Sequence, residues 1–203
     1  QWNRLKSLKP SLAEIQRVER DNAKQRFTLK PAAGAEAGAT DPRDWLIRAN
    51  QGHSIEIASE ALHTPLTLEA ANVPPVVVHG TYFAFWPAIV AAGGLKKMGR
   101  THVHFGTGLP DGAGAPAHSP QDEEGAAAPP PKVISGMRAD AEVLIFVDVE
   151  ASLRNGDMTW WLSSNGVVLT EGDADGVVPL RYFREVRGRR QGVAQARPRR
   201  RPE

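Results

Sequence analysis

Hydrogen-bonding side chains are concentrated in residues 46–54, which read Leu-Ile-Arg-Ala-Asn-Gln-Gly-His-Ser. The planar guanidinium of Arg48 offers paired donors that match the oxygens of a phosphate. Asn50, Gln51 and His53 add further polar groups close behind it. A turn that satisfies its own backbone, with Arg48 paired to a surface carboxylate, would produce the same pattern. The run therefore indicates either a phosphate-binding segment or a polar turn, and both interpretations stay open.

A second candidate is His79-Gly80-Thr81, which directly follows the β-branched run Val76-Val77-Val78. A glycine at a strand end allows a ligand to approach the backbone closely, and the flanking polar groups suit an amide. The alternative is an ordinary strand end that Thr81 caps.

His102 and His104 stand two residues apart in a short strand pattern, so their side chains share one face of the strand. A His-x-His pair is able to bind zinc, but no third ligand occurs at a recognisable spacing. We therefore expect no metal site. The alternative for the pair is one packed and one exposed histidine.

Two other polar segments flank apolar strand patterns. Ser135-Gly136-Met137-Arg138 offers either a second anion-binding arginine or a turn with an exposed arginine, and residues 165–170 predict a turn that leads into a strand. The sequence contains neither a glycine-rich phosphate loop nor a serine or cysteine nucleophile signature.

The elements that must position these residues fall into two parts. Ser11 and Glu14 form a capping-box pattern, which with the following apolar spacing predicts a helix over residues 11–21. Residues 25–30 and 45–49 are predicted strands. A helix followed by a hairpin is typical of the closing half of a winged helix, whose opening helices would lie before Gln1.

Pro74-Pro75 predicts the boundary to a second part, so we expect one lobe over residues 1–73 and another over residues 74–187. The second lobe is predicted to contain a helix and five strands in a curved mixed sheet, which gives an α+β fold. Its predicted elements are a helix at 82–92 and strands at 76–78, 101–105, 142–149, 159–162 and 167–170. Residues 107–132 are rich in Gly, Ala and Pro and predict a disordered insertion.

Charge is distributed unevenly along the chain. Residues 1–30 carry eight Lys/Arg against three Asp/Glu, residues 31–180 eight against eighteen, and residues 181–203 nine against two. A basic lobe attracts a polyanion, whereas the basic end over residues 188–203 predicts a disordered tail. The chain has no cysteine and no apolar run of transmembrane length, so we expect an intracellular protein, in cytoplasm or nucleus, without a membrane partner.

Taken together and in this order, these segments resemble the RNA 2′-phosphotransferase family, which removes the 2′-phosphate left at a tRNA splice junction. The resemblance covers about residues 11–187. The matching stretches are Ile15–Val18, Lys24–Phe27, Ile47–Ser54, Val78–Thr81, Gly99–His104, Ile134–Arg138 and Asn165–Thr170.

The resemblance implies a winged-helix lobe that binds RNA and a lobe with the ADP-ribosyltransferase fold that binds NAD⁺. It implies that Arg48 and Arg138 are catalytic and contact the substrate phosphate. The remaining implied roles are cofactor binding by His79, Gly80, Thr81, His102, Ser135 and Val167, and phosphate or RNA binding by Asn50, Gln51, His53, Arg17 and Lys24. Val167 appears where relatives that attach poly-ADP-ribose carry a glutamate, and this departure fits a phosphate acceptor.

The chemistry that the resemblance implies has two steps and needs no metal. The RNA 2′-phosphate attacks C1″ of the nicotinamide ribose and expels nicotinamide. The ribose 2″-hydroxyl then attacks the phosphorus, which releases 2′-hydroxyl RNA and ADP-ribose 1″,2″-cyclic phosphate. Both steps crowd negative charge on one phosphorus, so preorganised arginines are the natural stabilisers. We expect the enzyme to be a monomer.

The family also carries a catalytic arginine and histidine in an N-terminal Leu-Arg-His motif, and this sequence has no Arg-His pair. We therefore expect residues 1–203 alone to be severely impaired. Two alternatives remain: an ADP-ribosyltransferase that acts on terminal nucleic-acid phosphates, and a non-enzymatic module that binds NAD⁺ or RNA.

Overall fold

The computed structural model describes residues 8–36, 38–54, 58–109 and 135–189. The chain divides into two compact units, residues 1–51 and 52–203. The predicted lobe boundary at residue 73 falls within the second unit. The predicted insertion beyond residue 109 and the predicted tail beyond residue 189 lie outside the described residues.

The described part of the first unit contains one α-helix, a 3₁₀ turn (Pro42–Asp44) and a hairpin. Helix α1 (Leu12–Asp21) begins with the predicted capping box, in which the Ser11 hydroxyl accepts from the Glu14 amide at 3.3 Å and the Glu14 carboxylate accepts from the Ser11 amide at 2.8 Å. Strands β1 (Phe27–Pro31) and β2 (Trp45–Ala49) pair antiparallel. The predicted helix and hairpin are confirmed, with the first strand starting two residues later than predicted.

This unit buries little apolar surface. Among residues 8–36 and 38–51, no apolar side chain is fully buried. Val18, which was predicted to continue the apolar stripe of α1, is 62% exposed, and Ile47 of β2 is 60% exposed. The hairpin is therefore held mainly by its backbone ladder and by polar contacts, and its assignment to a winged helix stays a prediction.

The second unit contains short strands and two short helices in its described part. The strands are β3 (Thr64–Pro65), β4 (Val78–Thr81), β5 (Gly94–Lys96), β6 (Val103–Phe105), β7 (Val143–Val147), β8 (Trp160–Leu162), β9 (Val168–Thr170), β10 (Val177–Pro179) and β11 (Phe183–Gly188); the helices are α2 (Trp86–Ala91) and α3 (Val149–Asn155). The structure is thus α+β, as predicted. In the described part of the chain no helix is long and apolar enough to cross a membrane.

Every strand pairing among the described residues is antiparallel, so the predicted mixed sheet is wrong. The sheets of this unit have the strand orders β11-β7-β4, β3-β8-β9-β6 and β10-β5. Val78 and Gly106 exchange backbone hydrogen bonds of 3.0 and 2.8 Å, and this bridge links the strands β4 and β6. The ends of two sheets are therefore held next to each other.

Strand β7 lies at the centre of the main core. All five of its residues are buried, and it pairs with β11 on one side and β4 on the other. A strand that is covered on both faces is apolar throughout, which is why its sequence was recognisable. Its side chains pack with Phe105, Trp160 and Tyr182, among others. The core thus fixes the strand β4, which carries His79.

Several predicted boundaries were wrong for local reasons. The strand predicted at 76–78 runs instead over Val78–Thr81. The helix predicted at 82–92 starts as a 3₁₀ turn (Phe83–Phe85) before α2. The strand predicted to end at Val149 ends at Val147, because the Asp148 carboxylate accepts from the Ala151 amide at 2.9 Å and so caps α3.

Candidate active site

Strands β4 and β6 bring two of the predicted motifs together, His79-Gly80-Thr81 and the pair His102 and His104. Nδ1 of His79 lies 2.9 Å from the backbone carbonyl of His104. Because a carbonyl only accepts, this nitrogen carries the proton and donates. The rings of His79 and Phe105 also meet edge to face, with centroids 5.8 Å apart. Residues that stand about 25 positions apart in the sequence are therefore neighbours in this unit.

The segment Ser135–Arg138 packs against both strand ends. Gly136 has a left-handed φ of +86°, and a Cβ at this position would lie 2.6 Å from the Phe105 carbonyl oxygen. Gly80 is covered by the Met137 side chain, and a Cβ on Gly80 would lie 2.8 Å from Cβ of Ala141. Gly80 was predicted to let a ligand approach; in this structure its missing side chain makes room for Met137.

Arg138 is exposed at the edge of this packing. Its Nη1 donates to the Tyr82 hydroxyl at 3.2 Å, and the guanidinium lies 5.8 Å from the centroid of the Tyr82 ring. The Tyr82 hydroxyl lies 3.1 Å from both carboxylate oxygens of Asp140, to which it donates. The described residues form no salt bridge with Arg138, so its charge is available to an external anion.

The turn after β8 joins the same region. Nδ2 of Asn165 donates to the Ser135 hydroxyl at 3.4 Å, and the Thr107 hydroxyl donates to the Gly166 carbonyl at 3.2 Å. The side chain of Val167 is fully buried and packs with Trp161 and Leu169. Val167 therefore has a packing role in this structure, and its predicted contact with the cofactor stays a prediction.

Burial keeps the histidines of this region neutral. It lowers the pKa of His104 to about 3, with a further contribution from the positive charge of Arg100. Burial also lowers the pKa of His79. Nε2 of His104 is buried and has no hydrogen-bond partner among the described residues. This nitrogen is therefore a buried polar atom whose hydrogen-bonding capacity is not used by the described residues.

His102 is buried as well, so the alternative of one packed and one exposed histidine is wrong. Its Nε2 lies 2.8 Å from the Ser59 hydroxyl and 3.7 Å from a carboxylate oxygen of Glu171. Burial, followed by the charge of Lys97, lowers the pKa of His102. No group of three or more possible metal ligands occurs among the described residues.

Residues 52–54 lie beside the same histidines within the second unit. The carbonyl of His53 accepts from the amide and the hydroxyl of Thr101 at 3.1 and 3.2 Å. A Cβ on Gly52, whose φ is +81°, would lie 3.8 Å from Nε2 of His104 and 3.9 Å from Cζ of Arg100. Both distances are ordinary van der Waals contacts, so Gly52 packs beside the buried His104 ring.

The remaining predicted site residues belong to the first unit. Arg48 is exposed in β2 opposite Thr28. Asn50 is buried: its Oδ1 accepts from the Thr28 hydroxyl at 2.8 Å, and its Nδ2 donates to the Gln25 carbonyl at 2.7 Å. Asn50 thus closes the hairpin, and any contact of it with substrate stays a prediction.

Three other predicted contacts lie in this unit. Oε1 of Gln51 is buried without a hydrogen-bond partner among the described residues. The side chain of Arg17 is exposed and that of Lys24 is half-buried. The predicted convergence of Arg48 with Arg138 joins residues of different units and stays a prediction.

Tyr82, Asp140 and Ser59 are site residues that sequence reasoning missed. Tyr82 directly follows His79-Gly80-Thr81, and this adjacency was the one available signal. Nothing in the local sequence marks Ser59, because its partner His102 is 43 residues away.

Comparisons with a family model and with individual known proteins agree on one family for this chain. The family model described as RNA 2′-phosphotransferase, Tpt1/KptA family, matches residues 1–172. The chain is 40% identical over 195 residues to tRNA 2′-phosphotransferase 1 of Bos taurus, covering 95% of this chain and 61% of that protein. It is 32% identical over 170 residues to tRNA 2′-phosphotransferase of Saccharomyces cerevisiae, covering 83% of this chain and 62% of that protein.

A bacterial relative shows the same similarity. The chain is 31% identical over 173 residues to a probable RNA 2′-phosphotransferase of Rhizobium johnstonii, covering 85% of this chain and 69% of that protein. The chain therefore spans just over three fifths of the length of the animal and yeast relatives named above.

Proposed function

Because this chain belongs to the RNA 2′-phosphotransferase, Tpt1/KptA family, we propose that the protein transfers the 2′-phosphate of RNA, in particular spliced tRNA, to NAD⁺. The products are 2′-hydroxyl RNA, nicotinamide and ADP-ribose 1″,2″-cyclic phosphate. The second unit binds NAD⁺ with an ADP-ribosyltransferase-like fold, and the first unit binds RNA as part of a winged helix.

One observation carries the phosphate-binding part of the proposal. The guanidinium of Arg138 is exposed, has a neutral hydroxyl rather than a carboxylate as its hydrogen-bond partner, and is attached to a loop packed against β4 and β6. A preorganised cation aimed at developing phosphate charge stabilises a transition state more than a ground state. The Tyr82 hydroxyl raises the pKa of Arg138 further, so the side chain stays charged at any working pH.

The histidines support the binding of NAD⁺. Ribose hydroxyls both donate and accept hydrogen bonds, so one of them would supply a partner for the buried Nε2 of His104, which has none among the described residues. Neutral rings at His79 and His104 also add no positive charge next to a cationic nicotinamide, because burial lowers the pKa of both. His79, Gly80, Thr81, His102 and Ser135 are the residues that would hold the dinucleotide.

The first unit supports a role in RNA binding. Arg17 and Arg48 are exposed, and residues 1–30 carry eight basic against three acidic residues. Phosphate contacts of this kind supply most of the affinity for nucleic acid. Arg48 contacts a phosphate of the RNA from the first unit, and Asn50 acts by holding the end of its hairpin.

The test uses the full-length protein with saturating NAD⁺ and an oligonucleotide that carries one internal 2′-phosphate. We expect nicotinamide release and conversion to a 2′-hydroxyl product. Arg138→Ala and Arg48→Ala should each lower the rate by about a hundredfold or more, whereas the control Arg43→Ala, an exposed arginine paired with Asp41, should stay within about twofold. Absence of nicotinamide release would overturn the proposal, and a stable ADP-ribosylated oligonucleotide would identify the alternative transferase.

A further inference from the structure

Arg189, the last of the described residues, forms hydrogen bonds to the turn that carries Arg138. Arg189 follows β11, and its backbone amide donates to the Glu142 carbonyl at 2.8 Å. Its Nη1 donates to the carbonyls of Ala139 and Ala141 at 2.6 and 3.0 Å. One guanidinium nitrogen therefore bridges two peptide carbonyls of the same turn.

These carbonyls belong to a four-residue turn. The Ala141 amide donates to the Arg138 carbonyl at 3.3 Å and closes the turn. The side chain of Ala141 is buried, whereas Arg138 and Asp140 are exposed. The turn thus has one buried side and one solvent-exposed side. The two hydrogen bonds from Arg189 to the Ala139 and Ala141 carbonyls, here called the Arg189 clamp, fix the peptide planes of the turn.

A second contact holds the arginine itself. The Tyr82 hydroxyl accepts from Arg138 and donates to Asp140, so the side chains of the first and third residues of the turn share one phenol. Tyr82 is attached to the end of β4, and Arg189 to the end of β11. The sheet order β11-β7-β4 therefore supports the turn from both outer strands.

Arg189 lies beyond residue 172, where the match to the family model ends. It also falls in the segment whose composition predicted a solvated basic tail. Its side chain nevertheless contacts backbone atoms instead of pointing freely into solvent, which is unusual for an arginine that serves only as a tail charge.

We propose that Arg189 is a positioning residue that fixes the backbone of the Arg138 turn for phosphate transfer, while Tyr82 holds the Arg138 guanidinium itself. The kinetic part rests on the proposed function, since it requires Arg138 to contact the transferred phosphate. Arg189 itself touches neither substrate nor the reacting atoms. A displaced turn would lower the rate because transition-state contacts tolerate little misplacement.

The first measurement is independent of the reaction and uses amide hydrogen exchange in the full-length protein. In Arg189→Ala we expect the Ala141 amide to exchange about tenfold faster. In the wild-type protein, local opening of the turn must break the two hydrogen bonds from Arg189, and without them opening costs less free energy. Arg189→Lys, which has a point charge instead of a planar fork, should give an intermediate rate. Arg184→Ala is the control, since this arginine of the preceding strand β11 forms no side-chain hydrogen bond to the described residues. Equal Ala141 exchange in the Arg189→Ala and Arg184→Ala variants would overturn the clamp.

The second measurement is a double-mutant cycle on nicotinamide release. Arg189→Ala should lower kcat by about tenfold with the KM for NAD⁺ unchanged. In an Arg138→Ala background the same substitution should have no further effect, because both act through one guanidinium. Independent, multiplying losses would overturn the positioning role even if the exchange result holds. Tyr82→Phe, which keeps the ring and removes the hydroxyl, should behave like Arg189→Ala in the cycle.

The two measurements also separate this inference from the proposed function. Faster Ala141 exchange in a protein that releases no nicotinamide would support the clamp and reject the phosphotransferase activity. Normal activity with unchanged exchange in both Arg189→Ala and Arg189→Lys would support the activity and reject the clamp.

Discussion

Gly136 lies two residues before the Arg138 turn, and its replacement by alanine is the sharpest structural test of the site. Its φ of +86° is left-handed, and a Cβ would lie 2.6 Å from the carbonyl oxygen and 2.8 Å from the carbonyl carbon of Phe105. Both atoms belong to the backbone of a buried strand, so neither is able to move aside cheaply. The left-handed conformation costs a non-glycine residue about 1–2 kcal/mol, and relief of the overlap adds about 1–3 kcal/mol.

Gly156 is the matched control for this substitution. Its φ is +68°, and a Cβ there would meet nothing within 4 Å. Gly156→Ala should therefore lose only the conformational part, about 1–2 kcal/mol, and Gly136→Ala about 2–5 kcal/mol in total. The difference between the variants isolates the contact with Phe105.

The assay is urea unfolding followed by tryptophan fluorescence, because Trp160 is fully buried in the core of the second unit. We expect the midpoint to fall further for Gly136→Ala than for Gly156→Ala at unchanged m-value. Nicotinamide release should also fall in Gly136→Ala and stay near the wild-type rate in Gly156→Ala. Equal losses of stability in the two variants would refute the claim that the Phe105 backbone closes the space above Gly136.

Three further outcomes follow from other contacts. Burial lowers the pKa of His104 from 6.5 to about 3, so its neutral form contributes stability that is present above pH 6.5 and lost as the pH falls towards 3. The free energy of unfolding should drop over this window by up to about 1.4 kcal/mol per pH unit for this histidine. His104→Asn should reduce that slope, which urea titrations at pH 7 and 4.5 measure. An unchanged slope would contradict the lowered pKa of His104. Asn50→Ala removes two side-chain hydrogen bonds that close the hairpin, so hairpin amides should exchange faster and stability should fall by about 1–3 kcal/mol, whereas weaker RNA binding with unchanged exchange would indicate a direct substrate contact. Arg17→Ala and Lys24→Ala should each weaken RNA binding and reduce the salt slope of log K by about 1; an unchanged slope in filter-binding assays would remove these residues from the interface.

Elements with a strong local signal were predictable. The capping box at Ser11 and Glu14 and the apolar run of β7 depend on neighbours in sequence, and both appear in the structure. Strands β3, β5, β10 and β11 and helix α3 were missed. The residues of β11 are half-buried apart from Phe183, so they lack a clear alternating pattern and form a strand because β7 offers a partner.

The candidate site divides in the same way. His79, His102, Ser135 and Arg138 were recognisable by residue type. The structure packs the segment Ser135–Arg138 against β4, which carries His79, and against β6, whereas His102 contacts Ser59. Their supports were not recognisable. Arg189 acts on carbonyls 48 and 50 residues away, and a carbonyl has no sequence signature.

The sequence by itself determined the family and which residue types stand at the site, because the order of the motifs and the charges of their residues are properties of the sequence alone. Tertiary structure alone decided how those residues are held. It assigned Gly80 to packing against Met137, it buried Nε2 of His104 without a partner among the described residues, and it attached Arg189 to the Arg138 turn. The physical reason is that burial and backbone contacts depend on which strands meet, and strand pairing between distant segments is not encoded by the composition of either segment.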